Sequence, residues 1–143
     1  MANNEYDALI AAAAERYNVP FSWVKAVAGA ESNFDPWAMR LEPKINDASR
    51  GLMQVLMRTA RALGYQGDEQ GLFDPATNID LGAKLLGELI SRCGANFRRV
   101  YSGYNSGGCE NYLSNPVVNN HVNNALNWLA QVESEHGEKK TVD

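Results

Sequence analysis

An all-helical single domain of about six helices is the fold class that this sequence predicts. Apolar residues recur at three- and four-residue spacings in one segment after another. Proline and glycine punctuate those segments where helices start and stop. No stretch alternates with period two long enough to make a strand. At 143 residues the chain is about one domain, long enough to bury a core of its own.

Residues 5–18 read as the first helix, with Tyr6, Leu9, Ile10, Ala13 and Tyr17 on one stripe. Pro20 interrupts, and Ser22 is placed to cap a second helix that runs to about Ser32, where Asp35-Pro36 stops it. Residues 36–48 contain Pro36, Pro43, Asn46 and Asp47 without periodicity, so they read as a long loop of the kind that often serves function. A third helix is expected from Ser49, carrying Leu52, Val55, Leu56, Thr59 and Leu63 and ended by Gly64. Asp74-Pro75 combines a capping aspartate with proline at the first helical position, and the helix it opens continues to Gly94. Phe97, Val100, Tyr101 and Tyr104 keep helical spacing up to Gly107-Gly108. Asn115-Pro116 opens the last helix, on which Asn119, Asn120, Asn123 and Asn124 read as a solvated face. The expected domain is residues 1–135, with residues 136–143 as a polar C-terminal tail.

The chain is 45% hydrophobic and 21% charged, the balance of an ordinary globular domain. A net charge of -4 argues against binding phosphate backbones, so no nucleic-acid partner is expected. No apolar run approaches a membrane span. Met1 to Glu5 lacks a basic region followed by an apolar one, so no signal peptide is read in this chain; synthesis in the cytosol and removal of a leader both fit. Cys93 and Cys109 are the two cysteines, and their separation permits one bridge without demanding it.

Glu31 is the residue that stands out. It closes an otherwise apolar segment, with Val27 four residues before it and Phe34 three residues after. A carboxyl held against apolar neighbours has its charged form disfavoured, its pKa rises, and it becomes a candidate general acid. On local pattern alone a surface charge in a last helical turn is the commoner reading, and the rest of the chain is what weighs against it. Gly51, in Arg50-Gly51-Leu52-Met53-Gln54, occupies the first turn of the expected third helix, where glycine costs stability. Close approach of backbone to another group, such as a ligand, is one reason to keep it, and a simple helix entry is the other. Asn78 to Gly82 reads as a packing device inside a helix. Tyr104 and Asn105 stand where a helix gives way to glycines, and phenol and carboxamide suit hydroxyl- and amide-bearing substrates such as sugars. Metal binding would need clustered ligands, and His121 and His136 are isolated; His121 reads as a partly buried packing residue. Glycoside hydrolysis usually takes two carboxylates. Asp35, Asp47, Asp74 and Asp80 are available, and none is marked by its surroundings as Glu31 is.

Four blocks in order, Glu31-Ser32-Asn33-Phe34-Asp35-Pro36, then Arg50 to Val55 with Thr59-Ala60, then Phe73 to Gly82, then Tyr104 to Gly108, resemble the transglycosylase domain of the soluble lytic transglycosylases. These are family-23 glycosidases with a goose-type-lysozyme-like fold, and the likeness covers roughly residues 20–126. It implies an enzyme that cleaves the β-1,4 bond between N-acetylmuramic acid and N-acetylglucosamine in peptidoglycan, without metal or organic cofactor. In the family one glutamate protonates the leaving oxygen, then as a base helps the muramic 6-hydroxyl close a 1,6-anhydro ring. The substrate thus supplies the nucleophile, and the missing second carboxylate becomes expected. By position the resemblance implies Glu31 as acid/base, Tyr104 as the tyrosine hydrogen-bonded to it, Asn105 as its neighbour in the cleft, and Met53 and Gln54 as cleft lining beside the acetamido group; Ser32 also matches the motif.

Two departures stand against the family pattern. Arg40 occupies a position, nine residues after Glu31, where some members carry serine, and residues 41–47 lengthen the link to the Arg50 block, leaving room for Asp47 to reach the cleft. A hydrolase with an aspartate-assisted water, or a peptidoglycan-binding module without turnover, are the alternatives. The implied partner is the peptidoglycan glycan strand and the implied place of action the periplasm or cell wall. The longer loop is reminiscent of transglycosylases from phage or secretion machinery.

Overall fold

The computed structural model describes residues 3–137. Among them the chain forms α1 (Asp7–Tyr17), α2 (Phe21–Ser32), β1 (Met39–Glu42), β2 (Asp47–Arg50), β3 (Val55–Leu56), α3 (Met57–Ala62), α4 (Pro75–Cys93), α5 (Phe97–Ser106), α6 (Asn111–Ser114) and α7 (Pro116–His136). Short 3-10 turns at Pro43–Ile45 and Gln70–Phe73 complete the connections. The architecture is mostly helical, as expected, with one small sheet that the hydropathy pattern does not announce.

Helix α2 is the axis. From Ser22 to Gly29 every residue is buried, and the helix is packed by α1, α4 and α7. Val24 and Val27 of α2 share one core with Leu86 and Leu89 of α4, Val100 of α5, and Val122 and Leu129 of α7. A fully buried side chain of this kind contributes roughly 1.5–3 kcal/mol. Lys25 is buried with them, and its ammonium meets Asp7 Oδ1 at 2.9 Å, Asn4 Oδ1 at 3.1 Å and His136 Nε2 at 2.8 Å. That one cation therefore fastens both ends of the described chain to α2.

Several helix limits follow the expected chemistry. Asp74 accepts from Thr77 N at the start of α4, Asn115 accepts from Val117 N and Val118 N at the start of α7, and Gly107 ends α5 with φ 90°. Ser22 is not a cap: α2 begins at Phe21 directly after Pro20, and Ser22 is buried. His121 is exposed rather than partly buried, and His136 is the last residue of α7 rather than the start of a tail. Residues 138–143 of the expected tail lie outside the described residues.

The stretch from Met39 to Leu56 departs most from expectation. It is a three-stranded antiparallel sheet in the order β1-β2-β3, with Arg40 opposite Ser49 and Ser49 opposite Leu56. The third helix does not begin at Ser49; it begins at Met57. Backbone conformation explains why, because Gly51 and Gln54 have φ of +81° and +52°, which no continuous right-handed helix accommodates.

The turn between β2 and β3 is held from α4. Asn78 is fully buried; its Oδ1 accepts from Met53 N at 2.7 Å, and its Nδ2 donates to Arg50 O at 2.7 Å and Leu72 O at 2.8 Å. A Cβ on Gly51 would lie 2.4 Å from that same Nδ2. The close approach that glycine permits here is thus to the protein's own carboxamide. Cys93 and Cys109 form a disulfide that ties the end of α4 to the segment between α5 and α6.

Replacing Asn78 with alanine strands one buried N–H and two carbonyls, each costing about 1–3 kcal/mol when unpaired. Allowing for relaxation, Asn78→Ala is expected to lower unfolding free energy by about 2–4 kcal/mol in urea titration. A loss below about 0.5 kcal/mol would show that the turn does not depend on this residue.

Candidate active site

The sheet, α3, α4 and the last turn of α5 enclose a cleft of about 560 Å³ with Glu31 among its lining residues. Glu31 occupies the penultimate position of α2. Asn33 and Phe34 then take φ of 53° and 63°, turning the chain away toward the sheet. Burial raises the Glu31 pKa from 4.5 to about 7, against opposing influences from the Tyr101 hydroxyl and the Arg40 charge. At neutral pH the group is therefore divided between acid and carboxylate, the condition for giving a proton and taking one back.

The hydroxyl that donates to Glu31 Oε2 belongs to Tyr101. Tyr104, expected in that role, instead donates to Met53 O at 2.6 Å. The two phenols sit on one face of α5 in a ladder: Phe97 and Tyr101 stack at 6.1 Å, as do Tyr101 and Tyr104, and Trp23 of α2 meets Phe97 edge-on at 5.2 Å. Burial and the nearby Glu31 charge push both tyrosine pKa values up, so both remain donors. The signal for Tyr101 was present in the spacing, since Phe97, Tyr101 and Tyr104 recur at four and three residues.

The other expected residues separate into scaffold and surface. Ser32 Oγ donates to Leu52 O at 2.7 Å, bracing α2 against the turn, and does not line the cleft. Met53 is fully buried, its sulfur packed over Gly82, where a Cβ would lie 2.4 Å away; only its backbone carbonyl takes part near the site. Gln54 does line the cleft. Its Nε2 donates to Ala38 O at 3.0 Å and Gly51 O at 2.9 Å, and its Oε1 accepts from Ser49 Oγ at 3.0 Å. That carboxamide mainly closes the sheet. Asn105, exposed on the last turn of α5, lines the cleft.

Asp47 does not reach the cleft. Its Oδ1 accepts from Ala48 N at 2.7 Å and Met57 N at 3.1 Å, and its Oδ2 from Arg58 N at 2.9 Å. Burial would raise its pKa, but these backbone donors and Arg50 outweigh it and the net direction is down. Asp47 is a fixed anion at the start of α3. The cleft's further charged residues are Arg40, Glu42, Arg58 and Arg92, of which the family resemblance singles out only Arg40.

Solved structures share this architecture. An inactive mutant of the lytic transglycosylase Slt from Pseudomonas aeruginosa superposes with a TM-score of 0.82 at 21% identity, over 98% of this chain and 26% of that one. The 70 kDa soluble lytic transglycosylase from Escherichia coli gives 0.83 at 21% identity, over 96% of this chain and 25% of that one. The fold is thus the lysozyme-like one of these proteins. The Transglycosylase SLT domain family matches residues 8–117, and the chain belongs to it. Among relatives, a putative soluble lytic murein transglycosylase of Haemophilus influenzae is 36% identical over 110 residues, 73% of this chain and 18% of that protein. Protein IpgF of Shigella sonnei is 34% identical over 100 residues, 66% of this chain and 62% of its own length. A peptidoglycan transglycosylase of Escherichia phage T7 is 31% identical over 118 residues, 80% of this chain and 8% of that protein. The chain therefore spans from under a tenth to about three fifths of these relatives. No described helix is long and apolar enough to cross a membrane.

Two outcomes follow from the Glu31 environment. The Tyr101 hydroxyl favours the carboxylate, so Tyr101→Phe is expected to move the Glu31 pKa above about 7, read by carbon-13 NMR titration of the carboxyl. An unmoved or lowered value would remove Tyr101 from this role. Between about 4.5 and about 7 the native state binds more protons at Glu31 than the unfolded chain, so this group's contribution weakens the fold as pH rises through that window. Glu31→Gln lacks that penalty, and relative to wild type it is expected to gain up to about 3 kcal/mol between pH 4 and pH 8. Equal stability differences at the two pH values would contradict a desolvated carboxyl.

Proposed function

We propose that this domain is a peptidoglycan lytic transglycosylase that cleaves the β-1,4 bond between N-acetylmuramic acid and N-acetylglucosamine and leaves 1,6-anhydro ends. The observation that supports this most is Glu31, a cleft carboxyl whose pKa burial raises to about 7 and which accepts from the Tyr101 hydroxyl. In its acid form Glu31 protonates the glycosidic oxygen as that bond breaks. In its carboxylate form it takes the proton of the muramic 6-hydroxyl, whose oxygen closes on the anomeric carbon. One group serves both steps because its proton leaves and returns within one turnover. Tyr101 orients it, and Asn105 is the exposed carboxamide that meets the glycan.

Hydrolysis is the second reading, favoured by one observation: Glu42 also lines the cleft and could activate a water. Asp47 does not suit that role, because its oxygens are occupied by backbone donors. The likeness to relatives named as murein and phage peptidoglycan transglycosylases supports the glycan strand of the cell wall as substrate. It also supports the periplasm or wall as the place of action.

Mass spectrometry of muropeptides released from purified peptidoglycan tests the reading. Products one water lighter than reducing muropeptides are expected, and Glu31→Gln is expected to lower the rate by at least about 1,000-fold while remaining folded. Reducing muramic ends, lost in Glu42→Gln, would replace ring closure with hydrolysis. Near-full activity in Glu31→Gln would overturn the assignment of the acid.

A further inference from the structure

The sheet order β1-β2-β3 leaves β1 at an edge. In an antiparallel pair, residues that exchange backbone bonds with the neighbouring strand alternate with residues whose N–H and C=O point away from it. Gly51 N donates to Ala38 O at 2.8 Å, and the register then gives the bonded positions to Arg40 opposite Ser49 and Glu42 opposite Asp47. The backbone groups of Met39 and Leu41 therefore point outward from the sheet. Their side chains are exposed as well, Met39 at 53% and Leu41 at 70%, and the neighbouring Trp37, whose ring leans on Phe73, is exposed at 67%. An edge strand with open backbone groups and apolar side chains in water is a template for one more strand. β1 runs beside β2 without a bulge, so it lacks the twist that turns many edges away.

The charges on this strand define what can pair with it. Arg40 and Glu42 have opposite signs and stand two residues apart, on either side of Leu41. A strand of the same sequence running the other way offers the complementary order. We propose that the edge is filled by β1 of a second copy of this chain, paired antiparallel about Leu41 in a two-fold symmetric dimer. Leu41 then faces Leu41 across the axis, and the two residues exchange both backbone bonds. Arg40 of each copy faces Glu42 of the other, and Met39 faces Pro43. Outward backbone groups recur every second residue, so the competing registers are shifted by two. One of them sets Arg40 against Arg40; the other sets Glu42 against Glu42 and Arg40 against Lys44. Like charges directly opposite are destabilising, so charge selects one register. The two sheets join into one of six strands. Because the axis stands perpendicular to that sheet, both clefts open on the same side. The strip is small beside the roughly 800 Å² per partner of a standard interface. A weak dimer follows, with Kd on the order of 10–100 μM. The association does not depend on the reaction that Glu31 performs.

Sedimentation velocity of the intact chain from about 5 μM to about 1 mM reads the association, with circular dichroism to check that each variant keeps its fold. Wild type is expected to pass from monomer to dimer across that range. Arg40→Glu sets carboxylates against each other on both sides of the axis and is expected to raise Kd at least about tenfold. The double reversal Arg40→Glu/Glu42→Arg restores opposite signs and is expected to return Kd to within about threefold of wild type. Leu41→Lys brings two ammonium groups together on the axis and is expected to leave monomer throughout. A wild type that stays monomeric at about 1 mM overturns the proposal. So does a dimer that Arg40→Glu and Leu41→Lys leave unchanged, because its interface then lies elsewhere. A dimer that Arg40→Glu weakens and the double reversal fails to restore overturns the pairing about Leu41. A monomeric wild type that co-sediments with purified peptidoglycan, and loses this in Leu41→Lys, would assign the exposed strip to glycan instead and likewise overturn the dimer.

Discussion

The structure depends on one carboxyl, partly buried where a buried helix ends and lining the cleft. Desolvation is the influence that raises Glu31 to about 7, and it is produced by packing rather than by a charged neighbour. Helix α2 is buried from Ser22 to Gly29, so the residue that ends this apolar run inherits its low-dielectric surroundings. The Tyr101 hydroxyl limits the effect by giving the carboxylate a donor. Without such a donor the group would keep its proton to higher pH and serve less readily as a base. The ring that carries this hydroxyl is fixed by stacking on Phe97 and Tyr104. The Glu31 carboxyl is therefore tied to an aromatic ladder on α5 that meets α2 where Phe97 packs against Trp23.

A second requirement is that the wall opposite α5 stand still although it is made of short strands. A three-stranded sheet of this size has little stability of its own, and the protein fastens it with side-chain amides and hydroxyls. Asn78 holds the β2–β3 turn from α4, Ser32 holds it from α2, and Gln54 closes it onto Ala38 and Ser49. The Tyr104 hydroxyl adds a fourth tie through Met53 O. These are buried or partly buried bonds whose loss leaves unpaired groups, which makes them costly to break individually.

How much of this could be read from the sequence depended on whether the signal was local. The helices, the Asp74 and Asn115 caps and the Gly107 stop were legible because periodicity and capping act over a few residues. Glu31 was legible because its apolar approach is contiguous. The sheet was not, and β1 shows why. Its alternation runs the wrong way round, with Met39 and Leu41 exposed to solvent and Arg40 and Glu42 turned to the cleft. Hydropathy therefore pointed to no buried face. Ser49 to Leu56 reads as helix because its apolar residues are dense, while the turn that carries the positive φ of Gly51 and Gln54 is held by Asn78, more than twenty residues away. Tyr101 and Tyr104 exchanged roles for a related reason. Spacing places both on one face of α5 but does not say which hydroxyl meets α2 and which meets the turn.

The resulting division of labour bears on how such a site can vary. Ser32, Met53, Gln54 and Tyr104 match a recognisable motif, yet their polar groups mainly serve the scaffold. They hold the walls in place around Glu31, and a change at any of them alters the acid's surroundings before it alters a contact with the glycan. The charged residues that line the cleft outside the motif are Arg40, Glu42, Arg58 and Arg92, with Asn105 beside them; Arg40 acts on the Glu31 charge and Arg58 donates to Ile45 O at 3.4 Å. They sit on strand edges and helix ends, where a substitution strands no buried partner and costs little stability. On the reading proposed for Glu31, chemistry is thereby confined to the interior, and contact with a ligand falls to the rim.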